Sequence, residues 1–201
     1  MGDLIKRLFD LTVSLLLLLF LSPVLLVTAL LIRATMGAPV LFCQVRPGYL
    51  GRPFVLLKFR TMTVSVDSNG ALRSDADRLT RVGRWLRRLS LDELPQLWNV
   101  FRGELSLVGP RPLLMEYLPL YSPIEARRHE VRPGITGWAQ VNGRNALTWP
   151  ERFALDLYYV EHQSLGLDLQ ILCRTILTVL RREGISHPGA ATMEHFKGHH
   201  G

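Results

Sequence analysis

The sequence predicts a small, helix-rich α/β domain with short strands, preceded by an apolar, proline-broken membrane segment and bearing interfacial amphipathic helices. Three observations lead there. Leu11 to Ile32 carries no charge, and a spanning helix needs about 20 apolar residues. From residue 38 onward, runs with strand periodicity alternate with runs of helical periodicity. Finally, the 201-residue chain has a formal charge of +7, which favours an anionic partner: phosphorylated substrate, membrane surface or nucleic acid.

The composition divides the chain into a membrane segment (1–36), a small α/β domain (37–185) and a tail (186–201) expected to be loosely ordered. Cys43 and Cys173 are too few for a disulfide scaffold and indicate a reducing compartment. A nucleic-acid partner is set aside. Such binders interleave aromatics with basic residues for stacking, whereas here the aromatics are scattered and acids sit amid the basic region.

Within the first segment, Ser22-Pro23 sits at the middle of the apolar run, where proline removes a helical hydrogen bond and kinks the axis. Basic residues flank both ends, Lys6 and Arg7 before and Arg33, Arg46 and Arg52 after. The positive-inside rule expects one basic flank, not two. A hairpin with each half rising roughly 16 Å satisfies both observations; a kinked spanning helix is the other reading.

The run "PFVLLKFRTM" predicts a strand with Val55, Leu57 and Phe59 on one face and Lys58 and Arg60 on the other. Two cations on one strand face can hold a phosphate or simply be solvated. The run "DRLTRVGRWLRRLS" predicts an amphipathic helix, with Leu79, Val82, Leu86 and Leu89 opposite Arg78, Arg81, Arg84 and Arg88. With Trp85 at its margin, that helix suits the surface of an anionic membrane.

"SLDELPQLWNVF" follows, setting Asp92 and Glu93 in front of Pro95. Proline tolerates only the first turn of a helix, so the two acids lie at a helix start. Ser90-x-x-Glu93 fits a capping box, and acids there also suit the helix dipole. Local capping and chemistry both remain open at this point.

In "GELSLVGPRP" a short strand ends in Gly109-Pro110-Arg111-Pro112. The prolines stiffen the backbone that presents Arg111, a guanidinium suited to bidentate phosphate contact. "VRPGITGWAQVNGRN" carries Gly134, Gly137 and Gly143 with Arg132 and Arg144, a loop that can approach a ligand closely. The stretch from Arg152 onward is helical, with an apolar stripe through Leu169, Leu172, Ile176 and Val179 that docks on the domain or the bilayer. His195, His199 and His200 in the tail are candidate metal ligands by residue type alone.

These blocks in this order resemble the bacterial sugar transferases, the monotopic phosphoglycosyl transferases. The likeness rests on the Ser22-Pro23 break, "QVRPG" at 44–48, "KFRTM" at 58–62, "LDELPQLWNV" at 91–100, "GPRP" at 109–112, "RPGITGWAQVNGRN" at 132–145 and "LDLYYV" at 155–160. In size the chain is similar to the small enzymes that initiate bacterial N-glycan assembly.

The resemblance implies transfer of a phosphosugar from a UDP-sugar to a polyprenol phosphate, undecaprenyl phosphate, with release of UMP. This is the first membrane step of glycoconjugate assembly, and it takes place on the cytoplasmic face of the bacterial inner membrane. It also implies a re-entrant hairpin broken at Ser22-Pro23, a Mg²⁺ requirement and a covalent aspartyl intermediate on Asp92. Asp92 then acts as nucleophile and metal ligand, and Glu93 as base or second ligand. Lys58, Arg60, Arg111 and Arg144 contact substrate phosphates, with Arg46 and Asp168 in support. A direct ternary-complex transfer, with the acids only holding metal, is the rival. Anionic inner-membrane lipids are expected partners, while homo-oligomer formation and the identity of the sugar stay open.

Overall fold

The computed structural model describes residues 2–67, 69–143, 146–181 and 195–198. The chain opens with α1 (Gly2–Phe20) and α2 (Ser22–Met36), bent by 61° at the break between them. Pro23 has no N–H to give the carbonyl of Leu19, four residues back. Ser22 Oγ donates to that same carbonyl at 2.8 Å, so the Leu19 carbonyl keeps a partner at the break. No single helix is long and apolar enough to cross a membrane; the bent pair reaches that length and composition only together.

A hairpin follows, β1 (Leu41–Pro47) and β2 (Pro53–Phe59), paired antiparallel with Val45 opposite Val55. Next come α3 (Asp75–Arg78), α4 (Arg81–Arg88), the turn Leu91–Glu93 and α5 (Gln96–Arg102). The strand β3 (Ser106–Val108) pairs in parallel with β4 (Gly134–Thr136). Between them lie the 3₁₀ turn Met115–Leu120 and α6 (Pro123–Ala126). The chain continues with α7 (Trp138–Val141), α8 (Trp149–His162) and α9 (Leu165–Arg181). The domain is thus α/β and helix-rich, its strands confined to two small sheets among the described residues.

The main core joins Phe54, Leu56, Leu97, Val100, Leu105, Leu107, Val108, Tyr159 and Ile171. Phe9, Val13, Leu17 and Leu18 of α1 pack directly against it, and Ile32 of α2 is buried with Phe59 and Leu86. Composition changes at residue 36, but packing runs straight across that point.

Polar contacts fasten the same junction. Arg7 donates to the carbonyls of Val100 and Phe101 at 2.7 and 2.8 Å, at the end of α5, where a cation complements the helix dipole. Asp10 accepts from the Leu107 amide at 3.2 Å. Lys6 pairs with Asp168 at 2.6 Å.

Four local expectations change. On β2 the buried residues are Phe54, Leu56 and Phe59, while Val55 is exposed; Lys58 and Arg60 therefore share their parity with Phe54 and Leu56, and Arg60 is itself buried. The amphipathic helix is interrupted: Leu79 pairs with Met62 in a bridge, and Thr80 caps α4 by accepting from the Gly83 amide at 2.8 Å. A continuous helix would leave that hydroxyl without this role. On α9 the expected docking stripe splits: Leu172 packs against the main core, whereas Leu169 and Ile176 are 51% and 61% exposed. The inward face carries Asp168 and Ile171, fully buried, and Thr175, bonded to Thr136 at 2.7 Å. Within the tail, Phe196 is packed rather than loose, while His195 and Lys197 are exposed. Phe196 is buried among Tyr117, Tyr121, Trp149 and Phe153. His199 and His200 lie outside the described residues.

Candidate active site

The acidic pair is held by a turn built from three directions. Ser90 ends α4 in the left-handed region, φ 55° and ψ 21°, a conformation that costs a non-glycine residue energy. It reverses the chain into the 3₁₀ turn Leu91–Glu93, and Pro95 then starts α5. The capping box expected from Ser90 and Glu93 does not form, because Ser90 makes no side-chain cap and Glu93 turns to other partners.

Asn99 of α5 bolts this assembly to β2. Its Oδ1 accepts from the Leu57 amide at 3.1 Å and its Nδ2 donates to the Val55 carbonyl at 2.8 Å. It mimics a neighbouring strand on the outer edge of the hairpin, satisfying backbone groups that would otherwise be orphaned. That registry sets Lys58 beside Glu93: Lys58 Nζ donates to Glu93 Oε1 at 2.7 Å.

Arg111 arrives from the end of β3. Its Nη2 reaches the same Glu93 Oε1 at 2.5 Å, and its Nη1 lies 3.5 Å from Oε2. The glycines of the neighbouring loop serve this placement. A Cβ on Gly134 would lie 2.1 Å from the Gly109 amide nitrogen, and one on Gly109 would lie 2.3 Å from the Arg132 carbonyl oxygen. These glycines let backbone approach backbone, where the sequence suggested backbone approaching ligand.

The two carboxylates differ sharply. Burial alone would raise Glu93, but the Arg111 and Lys58 charges and hydrogen bonds overcome it and hold that carboxyl far below the ordinary range. Asp92 is shifted the other way: burial pushes it up, and the charge of Glu93 beside it adds to the rise. Among the described residues no hydrogen bond reaches the Asp92 carboxylate, which is 9% exposed. The charge of Arg111 and Lys58 goes chiefly to Glu93 and does not offset the rise of Asp92. Lys58, in turn, is lowered by burial and raised back in part by Glu93.

The remaining candidates separate. Arg46, bonded to Gln44 Oε1 at 2.7 Å, stands close enough to Arg111 that burial and then the Arg111 charge lower its guanidinium. It belongs to the same basic patch. Arg60 does not share Lys58's partners: it donates to the carbonyls of Met36, Gly37 (2.8 Å) and Ala38 (2.9 Å), closing the C-terminal end of α2. Asp168 is fully buried, held by Lys6 and by the Tyr159 hydroxyl at 2.7 Å, so it fixes α1 against α8 and α9. Ser22 and Pro23 form the break of the bent pair. Arg144 lies outside the described residues.

Sequence reading missed two residues. Asn99 gave one signal, a polar side chain inside the apolar run "LPQLWNVF". Arg87 gave none among so many arginines; the fold sets it near Asp92, where its charge opposes the carboxyl's rise, and its Nε donates to Thr61 Oγ1 at 3.1 Å.

No group of three or more His, Cys, Asp or Glu that could hold a metal occurs among the described residues. Among the described residues no hydrogen bond occupies the Asp92 oxygens, however, and Mg²⁺ is commonly held by one or two carboxylates together with substrate phosphates and water. The residues fit that mode and do not form an all-protein cage.

The family model for bacterial sugar transferases matches residues 1–182. The chain is 58% identical over 194 residues, 96% of each chain, to an uncharacterized sugar transferase, EpsL, of Bacillus subtilis (strain 168). It is 48% identical over 189 residues to the undecaprenyl-phosphate glucose phosphotransferase of Komagataeibacter xylinus, covering 85% of this chain and 35% of that protein. It is also 45% identical over 189 residues to the UDP-glucose:undecaprenyl-phosphate glucose-1-phosphate transferase of Caulobacter vibrioides, covering 89% of this chain and 70% of the relative. The chain belongs to the bacterial sugar transferase family.

Proposed function

We propose that the protein transfers a phosphosugar from a UDP-sugar to undecaprenyl phosphate, releasing UMP, through a covalent intermediate on Asp92. The observation that carries this reading is the asymmetry of the acidic pair. Glu93 is committed to Lys58 and Arg111, while Asp92 is buried, unbonded among the described residues and shifted upward. A carboxylate in that state is the more basic and more nucleophilic of the two. The names of the relatives support the donor and acceptor classes.

In the first half-reaction an Asp92 oxygen attacks the β-phosphorus of the donor. A bond forms between that oxygen and phosphorus, the bond from phosphorus to the bridging oxygen breaks, and UMP departs with its electron pair. In the second, a phosphate oxygen of the polyprenol phosphate attacks the same phosphorus. The aspartyl bond breaks, the carboxylate returns and polyprenol diphosphate-sugar leaves. Lys58, Arg111 and Arg46 offer positive charge to the phosphoryl oxygens, which is the main protein contribution to phosphoryl transfer. Glu93 keeps two of those cations in place between turnovers. Asp92 would hold Mg²⁺, which when bound supplies charge neutralisation on the donor diphosphate.

The bent pair α1–α2 is read as a re-entrant hairpin that enters the inner membrane from the cytoplasmic face. Because α1 is bonded to α5, β3 and α9, the hairpin sets the depth of Asp92 relative to the lipid headgroups, where the acceptor phosphate resides. The outward apolar stripe of α9 and the Arg-rich α4 with exposed Trp85 suit the same surface.

Intact mass after incubation with UDP-sugar and Mg²⁺, without acceptor, tests the covalent step. A phosphosugar adduct with UMP released is expected. UMP release only when acceptor is present would establish direct ternary transfer instead. A cysteine-labelling map is expected to put positions 6 and 46 on the same side of the membrane; opposite sides would mean a true span.

A further inference from the structure

Arg111 carries much of the proposed chemistry, yet its backbone sits between two prolines that donate no hydrogen bonds. Three contacts hold that segment. The Gly109 amide donates to Thr136 O at 2.9 Å, the Gly134 amide donates to Pro110 O at 3.0 Å, and Arg128 Nη2 donates to the Arg111 carbonyl at 2.8 Å. The first two are backbone contacts between neighbouring strand ends. The third is made by a charged side chain taken almost wholly out of water, 1% exposed.

Arg128 is itself fixed. Its Nε and Nη2 both donate to Asp156 Oδ2 of α8, at 3.1 and 2.7 Å, and the Asp156 side chain is 2% exposed. The rings of Tyr121 and Phe153 each lie 5.9 Å from the guanidinium carbon. A buried ion pair stabilises a fold poorly, since desolvation offsets its attraction, and fixing one arrangement over others is its better-attested use. Here the pair holds the carbonyl of the residue whose guanidinium bridges to Glu93.

We infer that Arg128 and Asp156 are positioning residues for the transfer reaction: a buried clamp, carried by the turn after α6 and by α8, that fixes the Arg111 backbone so that its side chain meets the site. The clamp acts only through Arg111 and touches neither Asp92 nor Glu93 among the described contacts. Lysine is the discriminating substitution. It keeps the charge that neutralises Asp156 but lacks the planar fork that reaches Asp156 and the Arg111 carbonyl together. The inference rests on the function proposed above, so its test has one arm that reads activity and one that does not.

The full-length enzyme in detergent or nanodiscs, as Arg128→Lys, Arg111→Ala and the double variant, is assayed for UMP release from UDP-sugar with undecaprenyl phosphate. Arg128→Lys is expected to lower kcat/KM by about tenfold or more, as small misplacements of a catalytic group do, with the melting temperature close to the parent's. The double variant is expected to match Arg111→Ala alone. Independent, multiplying losses would overturn the clamp, as would full activity in Arg128→Lys. The second arm is hydrogen exchange by mass spectrometry. In Arg128→Lys, faster exchange is expected in peptides covering 106–117, with α1, α5 and α9 unchanged. Parent-like protection there overturns the clamp even if the chain proves to catalyse another reaction. A parent that releases no UMP from any UDP-sugar would instead sink the reaction, leaving the exchange result to decide the clamp. Asp156→Asn, which retains the side chain's volume, is expected to give the same exchange pattern.

Discussion

Glu93→Gln and Asp92→Asn should move stability in opposite directions, although the two residues are adjacent, similar in charge and replaced isosterically. Glu93 Oε1 lies 2.7 Å from Lys58 and 2.5 Å from Arg111. At an effective dielectric of about 20, each such pair attracts by about 6 kcal/mol. Desolvation of the groups takes back most of that, and partial exposure screens the remainder, since the Arg111 side chain is 36% exposed. Removing the anion leaves two cations facing one another, for a net loss of about 2–3 kcal/mol. At about 2–4 °C per kcal/mol for a chain of this size, the melting temperature falls by about 4–12 °C.

Asp92 runs the other way. Its raised pKa means that burial and the charge of Glu93 penalise its ionised form. Stability it contributes is present at low pH and is lost as pH rises through the folded value. At neutral pH the asparagine variant is therefore more stable, by about 1 kcal/mol. Glu93, held low, contributes stability above its unfolded pKa that fades on acidification. The Glu93→Gln deficit should therefore shrink as pH falls below about 4.3. Thermal unfolding of the purified full-length variants, followed by tryptophan fluorescence, reads both shifts, and UMP release reads turnover. Asp92→Asn should be inactive, and Glu93→Gln slower by about a hundredfold through its misplaced cations. Shifts of the same sign, or an asparagine variant that turns over like the parent, would refute the division of roles between the two acids.

Three further outcomes are expected. Because the nucleophile must be ionised and its carboxyl is raised from 3.8, the acid limb of kcat/KM should fall above pH 3.8; a midpoint at or below that value contradicts the assignment. Arg60→Ala removes the donors to the carbonyls of Met36, Gly37 and Ala38 and should destabilise by about 2–4 kcal/mol in thermal unfolding, with KM for the UDP-sugar unchanged; a raised KM with parent-like stability would return Arg60 to substrate binding. Phe196→Ala should cost about 3 kcal/mol, and a chain ending at residue 194 should lose as much, because Phe196 is 6% exposed within the aromatic cluster.

What could be read in advance followed the range of the interactions. The break at Ser22-Pro23 was legible because a missing N–H acts within one turn. The start of α5 at Pro95 and the strand before Gly109 were legible for the same reason. The capping box was a sound local reading of Ser90 and Glu93, yet it lost to cations 35 and 18 residues away in sequence. Periodicity found helix from Arg152 onward but neither its break between His162 and Leu165 nor which side of α9 faces in. Its inward acid, Asp168, is chosen by a lysine 162 residues distant, so a polar residue lies inside while Leu169 and Leu177 lie outside. Arg60 failed similarly, since alternation placed it beside Lys58 while the end of α2 offered three carbonyls with no other donor in view.

The long-range contacts that defeated local reading also explain how one turn holds two carboxylates with different tasks. Like charges side by side normally raise both pKa values or force a shared proton. Here Lys58 and Arg111 converge on a single oxygen of Glu93, so one acid is saturated and the other is left to bear the repulsion. Exchanging the two residues, as Asp92→Glu with Glu93→Asp, would preserve charge and composition while shortening the arm that reaches Lys58 and Arg111. If that saturation is what frees Asp92 to attack phosphorus, the swapped chain should form no phosphosugar adduct even when it folds. Adduct formation at the parent's rate would mean that proximity to the basic patch suffices and that the pairing of Glu93 is incidental.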